Sequence, residues 1–121
     1  MAKKLFILCT HGAEDPERAT IPFVMATTSQ ALDVEVVMGF QADGVTLATK
    51  GGAEHIAAPS FPPLKDLVAA YSEAGGKFLV CGPCVQSRKI DPKNDLLESA
   101  SVVNAATFVT EWIEATNVLV Y

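Results

Sequence analysis

Two cysteines separated by a glycine and a proline are the residues of this sequence best suited to chemistry. Cys81 and Cys84 flank Gly82-Pro83. Two thiols at this spacing can close a small disulfide, share a metal ion or pass a sulfur atom from one to the other. The thiolate is the reactive form of cysteine, so a nearby positive charge is expected to help, and Arg88 and Lys89 follow closely. The cysteine pair is therefore the predicted chemical centre.

The same pair allows three other interpretations. A zinc site needs a second pair of ligands at suitable spacing, and the only other candidates are Cys9, His11 and His55, so zinc is a minority interpretation. A thioredoxin-like site needs a long helix after the pair, whereas the segment downstream is polar and contains Pro92. The structural alternative is a pair of buried cysteines that act as small apolar side chains. We expect neither a metal ion nor an organic cofactor.

The other candidate residues lie at the end of the first predicted strand. Cys9 ends an apolar run and is expected in the core. His11 follows in a loop, where it could orient a thiol or bind an anionic group. We therefore predict Cys81 and Cys84 as catalytic residues and His11 and Arg88 as substrate-binding residues. No Gly-x-Gly-x-x-Gly motif is present, so nucleotide binding has no support.

Strand and helix signals alternate from end to end of the chain. Apolar runs predict strands at residues 5–9, 33–40, 77–81, 101–103 and 118–121. Helices are predicted over residues 17–32, 64–71, 91–97 and 105–115. Asp15 is suited to cap the first of these, but Pro22 predicts either a kink or a later start near Thr20. Residues 45–48 fit a short strand or a helical turn, and residues 55–63 a loop.

This alternation predicts an α/β fold, a three-layer α/β/α sandwich. Its mostly parallel sheet would have about five strands, with helices on both faces. The length of 121 residues fits a single domain over residues 1–121. In such folds the loops at the carboxyl ends of the strands form the site. Those loops are residues 10–15, 39–44 and 81–88.

Composition limits the classes of partner. The net charge is -5 and no more than two Lys or Arg residues are adjacent, so neither nucleic acid nor an anionic membrane surface is expected as a partner. No apolar stretch has the length of a membrane helix, about 18 residues. We expect a cytoplasmic protein with reduced thiols. A half-hydrophobic chain of this size leaves apolar surface for an interface, with Phe40, Phe61 and Trp112 as candidates.

A series of short motifs runs along nearly the whole chain. They are Thr10-His11-Gly12 with Asp15-Pro16, Gly39-Phe40 before Asp43-Gly44-Val45, Lys50-Gly51, Cys81-Gly82-Pro83-Cys84 before Arg88, and Val103-Asn104-Ala105-Ala106 before the last helix. In order and spacing these motifs resemble the DsrE/DsrF-like family of small sulfur-relay proteins. One departure is Lys89, which follows the arginine where members often have glycine.

The resemblance implies a doubly wound domain that assembles as a homo-oligomer, a trimer or a hexamer. It also implies that Cys81, seven positions before Arg88, matches the cysteine that carries sulfur as a persulfide. Cys84 occurs in a subset of members and would resolve the persulfide as a disulfide. The expected function is a sulfur carrier or sulfurtransferase-like protein that exchanges sulfur with a donor or acceptor protein. The alternatives are a thiol-disulfide redox or redox-sensing protein and a non-catalytic oligomeric binding module.

Overall fold

A computed structural model describes residues 3–121, and five parallel strands form its central sheet. The strands are β1 (Lys4–Cys9), β2 (Glu35–Phe40), β3 (Lys77–Cys81), β4 (Ala100–Val103) and β5 (Asn117–Val120). Their order across the sheet is β4-β3-β2-β1-β5, and every pairing is parallel. All five strands therefore end at one edge of the sheet, where the strand-end loops gather.

Helices cover both faces of the sheet, which confirms the predicted α/β architecture. They are α1 (Pro16–Ala31), α2 (Leu64–Glu73), α3 (Gly82–Ser87) and α4 (Ala105–Glu114), and a 3-10 segment spans Ala42–Ala48. The α1 and α2 helices pack on one face and α4 on the other. Within residues 3–121, none of the helices combines the length and the apolar character that crossing a bilayer requires.

Three local predictions are settled by the structure. The first helix begins at Pro16, with Asp15 Oδ1 accepting the Arg18 amide at 3.1 Å, and continues through Pro22, so a start near Thr20 is wrong. The helix predicted over residues 91–97 is also wrong, because this segment forms turns and an isolated bridge from Leu96 to Thr49. Its carboxylates compete for the backbone, since Asp91 accepts the Lys93 amide. Residues 45–48 belong to the 3-10 segment, so the helical alternative holds.

Each face of the sheet has its own apolar cluster, because side chains alternate along a strand. On the α1/α2 face Phe40 and Phe78 stack at 5.5 Å between ring centroids, and Phe23 joins them from α1. On the α4 face Phe6 contacts Phe108 and Trp112 edge-on. Parallel sheets are normally buried on both faces, and the central strands β1, β2 and β3 follow that rule.

The α4 face is less completely covered than the opposite one. A single helix crosses it, fixed at one point by the ion pair between Lys4 Nζ and Glu111 Oε2 at 2.6 Å. That contact raises the pKa of Lys4 above its ordinary value. Ile113 on α4 is 78% exposed, and Val120 on the edge strand β5 is 66% exposed. Phe40, one of the predicted interface residues, is fully buried and is excluded from that role.

Tyr71 on α2 is hydrogen-bonded to two neighbouring strands. Its buried hydroxyl donates to the Lys77 carbonyl at 2.6 Å and accepts the Met38 amide at 3.1 Å. Burial raises the pKa of Tyr71, so the hydroxyl is neutral at physiological pH and can play both roles. The hydroxyl therefore joins β2 and β3 at the point where β3 begins.

Replacing this hydroxyl should weaken the fold measurably. Tyr71→Phe leaves a buried amide and a buried carbonyl without their partner, so the free energy of unfolding should fall by about 1–3 kcal/mol. The matched control is Tyr121→Phe, whose hydroxyl makes no hydrogen bond in the described chain and whose loss should cost less than about 0.5 kcal/mol. Urea denaturation of both variants measures the difference, and equal losses would contradict this role for Tyr71.

Candidate functional site

The junction between β3 and α3 presents the two cysteines. Along β3 the side chains of Phe78 and Val80 are fully buried on the α1/α2 face, and Cys81 ends the strand half-buried. Pro83 occupies the first turn of α3, where a missing amide hydrogen costs nothing. Cys84 follows in the same turn, also half-buried. Both thiols are free.

Cys84 is held by a hydrogen bond from the segment that follows β2. Its Sγ accepts a hydrogen bond from the backbone amide of Ala42 at 3.3 Å. Ala42 opens the 3-10 segment directly after β2, and its φ of 51° lies in the left-handed region that alanine rarely adopts. The chain thus keeps a costly backbone conformation at the residue whose amide reaches the thiol.

Arg88 links α3 to the same segment. Its Nη2 and Nε lie 2.9 Å and 3.2 Å from Asp43 Oδ1, and its Nη1 donates to the Cys84 carbonyl at 3.2 Å. The guanidinium is therefore shared between the 3-10 segment and the backbone of the second cysteine. Planar, multi-donor arginine is suited to such a bridge.

The 3-10 segment is itself seated on the end of β1. The Gln41 amide donates to the Cys9 carbonyl at 3.1 Å, and a Cβ on Gly44 would overlap that same carbonyl oxygen. The loop after β1 closes on the segment as well, since a Cβ on Gly12 would lie 2.5 Å from Thr46 Oγ1. Only glycine allows backbone to approach this closely. The three predicted strand-end loops therefore do meet.

Lys89 ends α3 in a left-handed conformation. Its φ is 55°, and the Ile90 amide donates to the Val85 carbonyl at 3.1 Å, which closes the carboxyl end of α3. This left-handed helix end is where glycine is favoured. The resemblance implied glycine at this position, and here a lysine adopts the same left-handed conformation.

The environment of Cys81 disfavours its charged form. Burial raises the pKa of the Cys81 thiol most, and the neighbouring Cys84 thiol raises it further. The Cys84 amide and the charge of Arg88 act in the opposite direction but more weakly. Cys9, by contrast, is 1% exposed in the core, and burial alone raises its pKa far above the ordinary value. Its predicted place in the core is confirmed.

His11 lies in the loop after β1 and is engaged locally. Its Nδ1 is 2.8 Å from Glu14 Oε2, and the other carboxylate oxygen of Glu14 accepts the Gly12 amide. The structure thus brings Cys81, Cys84 and Arg88 together, whereas the imidazole of His11 contacts Glu14.

Sequence reasoning missed the contribution of the 3-10 segment. Asp43 and the amide of Ala42 contact the cysteine helix, although Asp43-Gly44 had the pattern of a simple turn. The sequence did hold one indication of this contact. Asp43 is the acidic residue of the loop at residues 39–44, which was predicted to lie at the carboxyl ends of the strands.

A cavity of about 260 Å³ beside α2 is lined by Leu47, Val68 and Leu97 among others, and the cysteines do not line it.

The burial of Cys9 predicts a clear difference in thiol reactivity. Iodoacetamide should add to Cys81 and Cys84 in the folded protein, and to Cys9 only as fast as the protein unfolds, because the core excludes the reagent. Intact-mass measurement should show two adducts in buffer and three in guanidinium chloride. A third adduct that forms as fast as the first two in buffer would contradict the placement of Cys9.

Comparison with known proteins gives the site its context. Over 106 residues, 88% of this chain, the sequence is 34% identical to the uncharacterized protein MJ0760 of Methanocaldococcus jannaschii, of which the chain spans 38%.

Two solved structures share the fold. One is the YchN protein of E. coli, with a TM-score of 0.82, 13% identity and coverage of 98% of this chain and 99% of that one. The other is MTH1491 of Methanobacterium thermoautotrophicum, a protein of unknown function, with a TM-score of 0.75, 16% identity and full coverage of both chains. The sequence model of the DsrE/DsrF-like family matches residues 3–121, and the chain belongs to that family.

Proposed function

We propose that this protein is a sulfur carrier that holds sulfane sulfur as a persulfide on Cys81 and passes it to a partner protein. The observation that carries the proposal is the meeting of two free, half-buried thiols at the strand-end edge, close enough for Cys84 to influence the pKa of Cys81. Membership of the DsrE/DsrF-like family favours a role in sulfur relay. Free thiols also favour a reducing compartment, the cytoplasm, as its location.

The chemistry requires only thiol exchange. A Cys81 thiolate attacks the outer sulfur of a donor persulfide, R–S–SH, the donor S–S bond breaks, and R–S⁻ leaves. The product Cys81–S–SH holds the sulfur until an acceptor thiolate attacks the outer sulfur and Cys81 leaves as a thiolate. If Cys84 attacks the inner sulfur instead, a Cys81–Cys84 disulfide forms and HS⁻ leaves, so the two thiols are oxidised while the sulfane sulfur is reduced.

The cysteine spacing also supports a second function, a thiol-disulfide redox or redox-sensing role without carried sulfur. Two cysteines separated by two residues can close a disulfide directly. This candidate differs from sulfur carriage in the mass of the product. A third candidate, a non-catalytic binding module, requires both thiols to be inert.

Intact mass after incubation with glutathione persulfide separates the three functions. Sulfur carriage predicts a gain of about 32 mass units that dithiothreitol removes, mapped to Cys81 and absent in Cys81→Ser. A loss of about two mass units would show an internal disulfide and favour the redox function. No change in mass would overturn sulfur carriage and leave the binding module. Cys9→Ser is the matched control and should keep the full gain, because Cys9 is buried.

We further propose that the chain works as a homo-oligomer, with trimers or hexamers as the sizes that the family resemblance implies. The support is an exposed apolar surface, the α4 surface, formed by Val109, Ile113, Val118 and Val120. Val118 and Val120 pair with Phe6 and Leu8, so their side chains lie on the sheet face that α4 covers. Exposed apolar side chains gathered on one face are typical of interfaces between chains.

One charge placed on the α4 surface should separate the subunits. Ile113→Glu puts a carboxylate at a side chain that is 78% exposed in the monomer and apolar, and burying that charge in an interface is strongly unfavourable. Light scattering after size exclusion should show an oligomer for the unmodified protein and a monomer for the variant. Leu32→Glu, at an equally apolar side chain that is 71% exposed at the end of α1, should stay oligomeric. A monomeric unmodified protein would overturn the proposal.

A further inference from the structure

A cleft with two lysines lies beyond the carboxyl end of α3. Its volume is about 290 Å³, and its lining comes from three stretches of the chain. The lining residues, which together form what we call the lysine cleft, are Thr49, Lys50, Lys89, Ile90, Asn94 and Asp95. Ligand pockets in proteins start at about 300 Å³, so this cleft suits one end of a small molecule.

Lys89 lines the cleft although its backbone conformation is unfavourable for a residue with a side chain. Its φ of 55° lies in the left-handed region at a helix end, where glycine is favoured. Residues held in such conformations are frequent at functional sites, where the side chain is required. The conformation therefore points to a role for the Lys89 side chain.

The two lysines of the cleft are without a charged partner, whereas its carboxylate is engaged locally. Within residues 3–121, neither Lys50 nor Lys89 forms an ion pair. Asp95 Oδ2 accepts the Asp91 amide at 2.7 Å, and Asp91 in turn accepts hydrogen bonds from its own turn. The lining therefore carries two positive charges and one negative charge, and the positive ones are available to a ligand.

The cleft lies within reach of the cysteine pair. Arg88, which donates to the Cys84 carbonyl, is neutralised by Asp43, so the unpaired charge at this end of α3 is that of Lys89. Eight residues separate Lys89 from Cys81, roughly 12 Å along a helix. The flexible lysine stem covers part of that distance. A small molecule can cover the rest if its charge lies several bonds from its sulfur.

We propose that Lys50 and Lys89 bind a carboxylate of a small-molecule persulfide while its outer sulfur reaches Cys81. This inference rests on the proposed function and names the donor class, a low-molecular-weight persulfide with a carboxylate several bonds from its sulfur. Thiosulfate is outside this class, because its charged oxygens are bonded to the sulfur next to the one transferred. The sulfur transfer itself is unchanged, since the lysines act on donor binding alone.

The rate at which glutathione persulfide loads Cys81, followed by intact mass over time, tests the two lysines. In Lys50→Gln/Lys89→Gln the half-saturating donor concentration should rise about fivefold, because two exposed ion pairs are lost, while the limiting rate stays the same. Lys93→Gln removes a nearby exposed lysine that does not line the cleft, and it should change neither value. An unchanged half-saturating concentration in the double variant, or an equal rise in Lys93→Gln, would overturn the proposal.

A donor without carboxylates tests whether the lysines recognise this group. With the dimethyl ester of glutathione persulfide, the half-saturating concentration for the unmodified protein should be about fivefold higher than with the free acid. The double lysine variant should treat the acid and the ester alike. If the lysine substitutions weaken loading from the ester as much as from the acid, the carboxylate is not what they bind, and the proposal is wrong.

Lys89→Gly distinguishes donor binding from an effect on the fold. Glycine suits the left-handed conformation at this position, so the urea midpoint should not fall. The half-saturating concentration of glutathione persulfide should nevertheless rise about twofold, because one of the two positive charges is lost. Loading kinetics equal to those of the unmodified protein would contradict the role of Lys89.

Binding of S-methylglutathione, which has the carboxylates but no transferable sulfur, separates this inference from the proposed function. In NMR spectra of the isotope-labelled protein, its addition should shift the amides of residues 49–50 and 89–95, and the double lysine variant should lack these shifts. Shifts without any loading from glutathione persulfide would overturn sulfur carriage and retain the cleft as a carboxylate site. Loading without these shifts would overturn the lysine cleft and leave sulfur carriage intact.

Discussion

The parallel register of the three central strands is the constraint on which the site depends. Cys9 pairs with Phe40, and Phe40 pairs with Val80, so β1, β2 and β3 end at the same level. The residues that follow them are therefore neighbours whatever their separation in sequence. A slip of one residue would turn Cys81 to the opposite face of the sheet and carry Cys84 away from the Ala42 amide.

Burial places three chemically identical residues in distinct environments. Cys9, within β1, is in the core, where its thiol contributes only apolar surface. Cys81, at the last position of β3, keeps one side toward the core and is accessible in part. Cys84, one helical turn later, accepts a hydrogen bond from the Ala42 amide. The fold thus sets reactivity through the depth of each sulfur and the donors around it.

The two faces of the sheet are covered unequally. The chain returns from β4 at one edge of the sheet to β5 at the other through α4, so a single helix covers this face. The opposite face has two helices and the 3-10 segment. Apolar side chains remain exposed on the outer surface of α4 and on β5. Parallel sheets usually carry apolar residues on both faces, so this face needs more cover than one helix gives. This exposed apolar surface is the one that the proposed oligomer would bury.

The amino-acid sequence by itself determined the element order, the parallel sheet and the place of the cysteine pair, because apolar periodicity and the local stop signals of Gly and Pro are properties of short segments. It also marked Cys9 as core and Asp15 as a helix cap. Only the tertiary structure decided that Asp43 and the Ala42 amide contact α3, about forty residues later in the chain, because such contacts depend on strand order and register. The turns at residues 91–97 were missed for a different, local reason, since side-chain hydrogen bonds to the neighbouring backbone overrode the helical pattern.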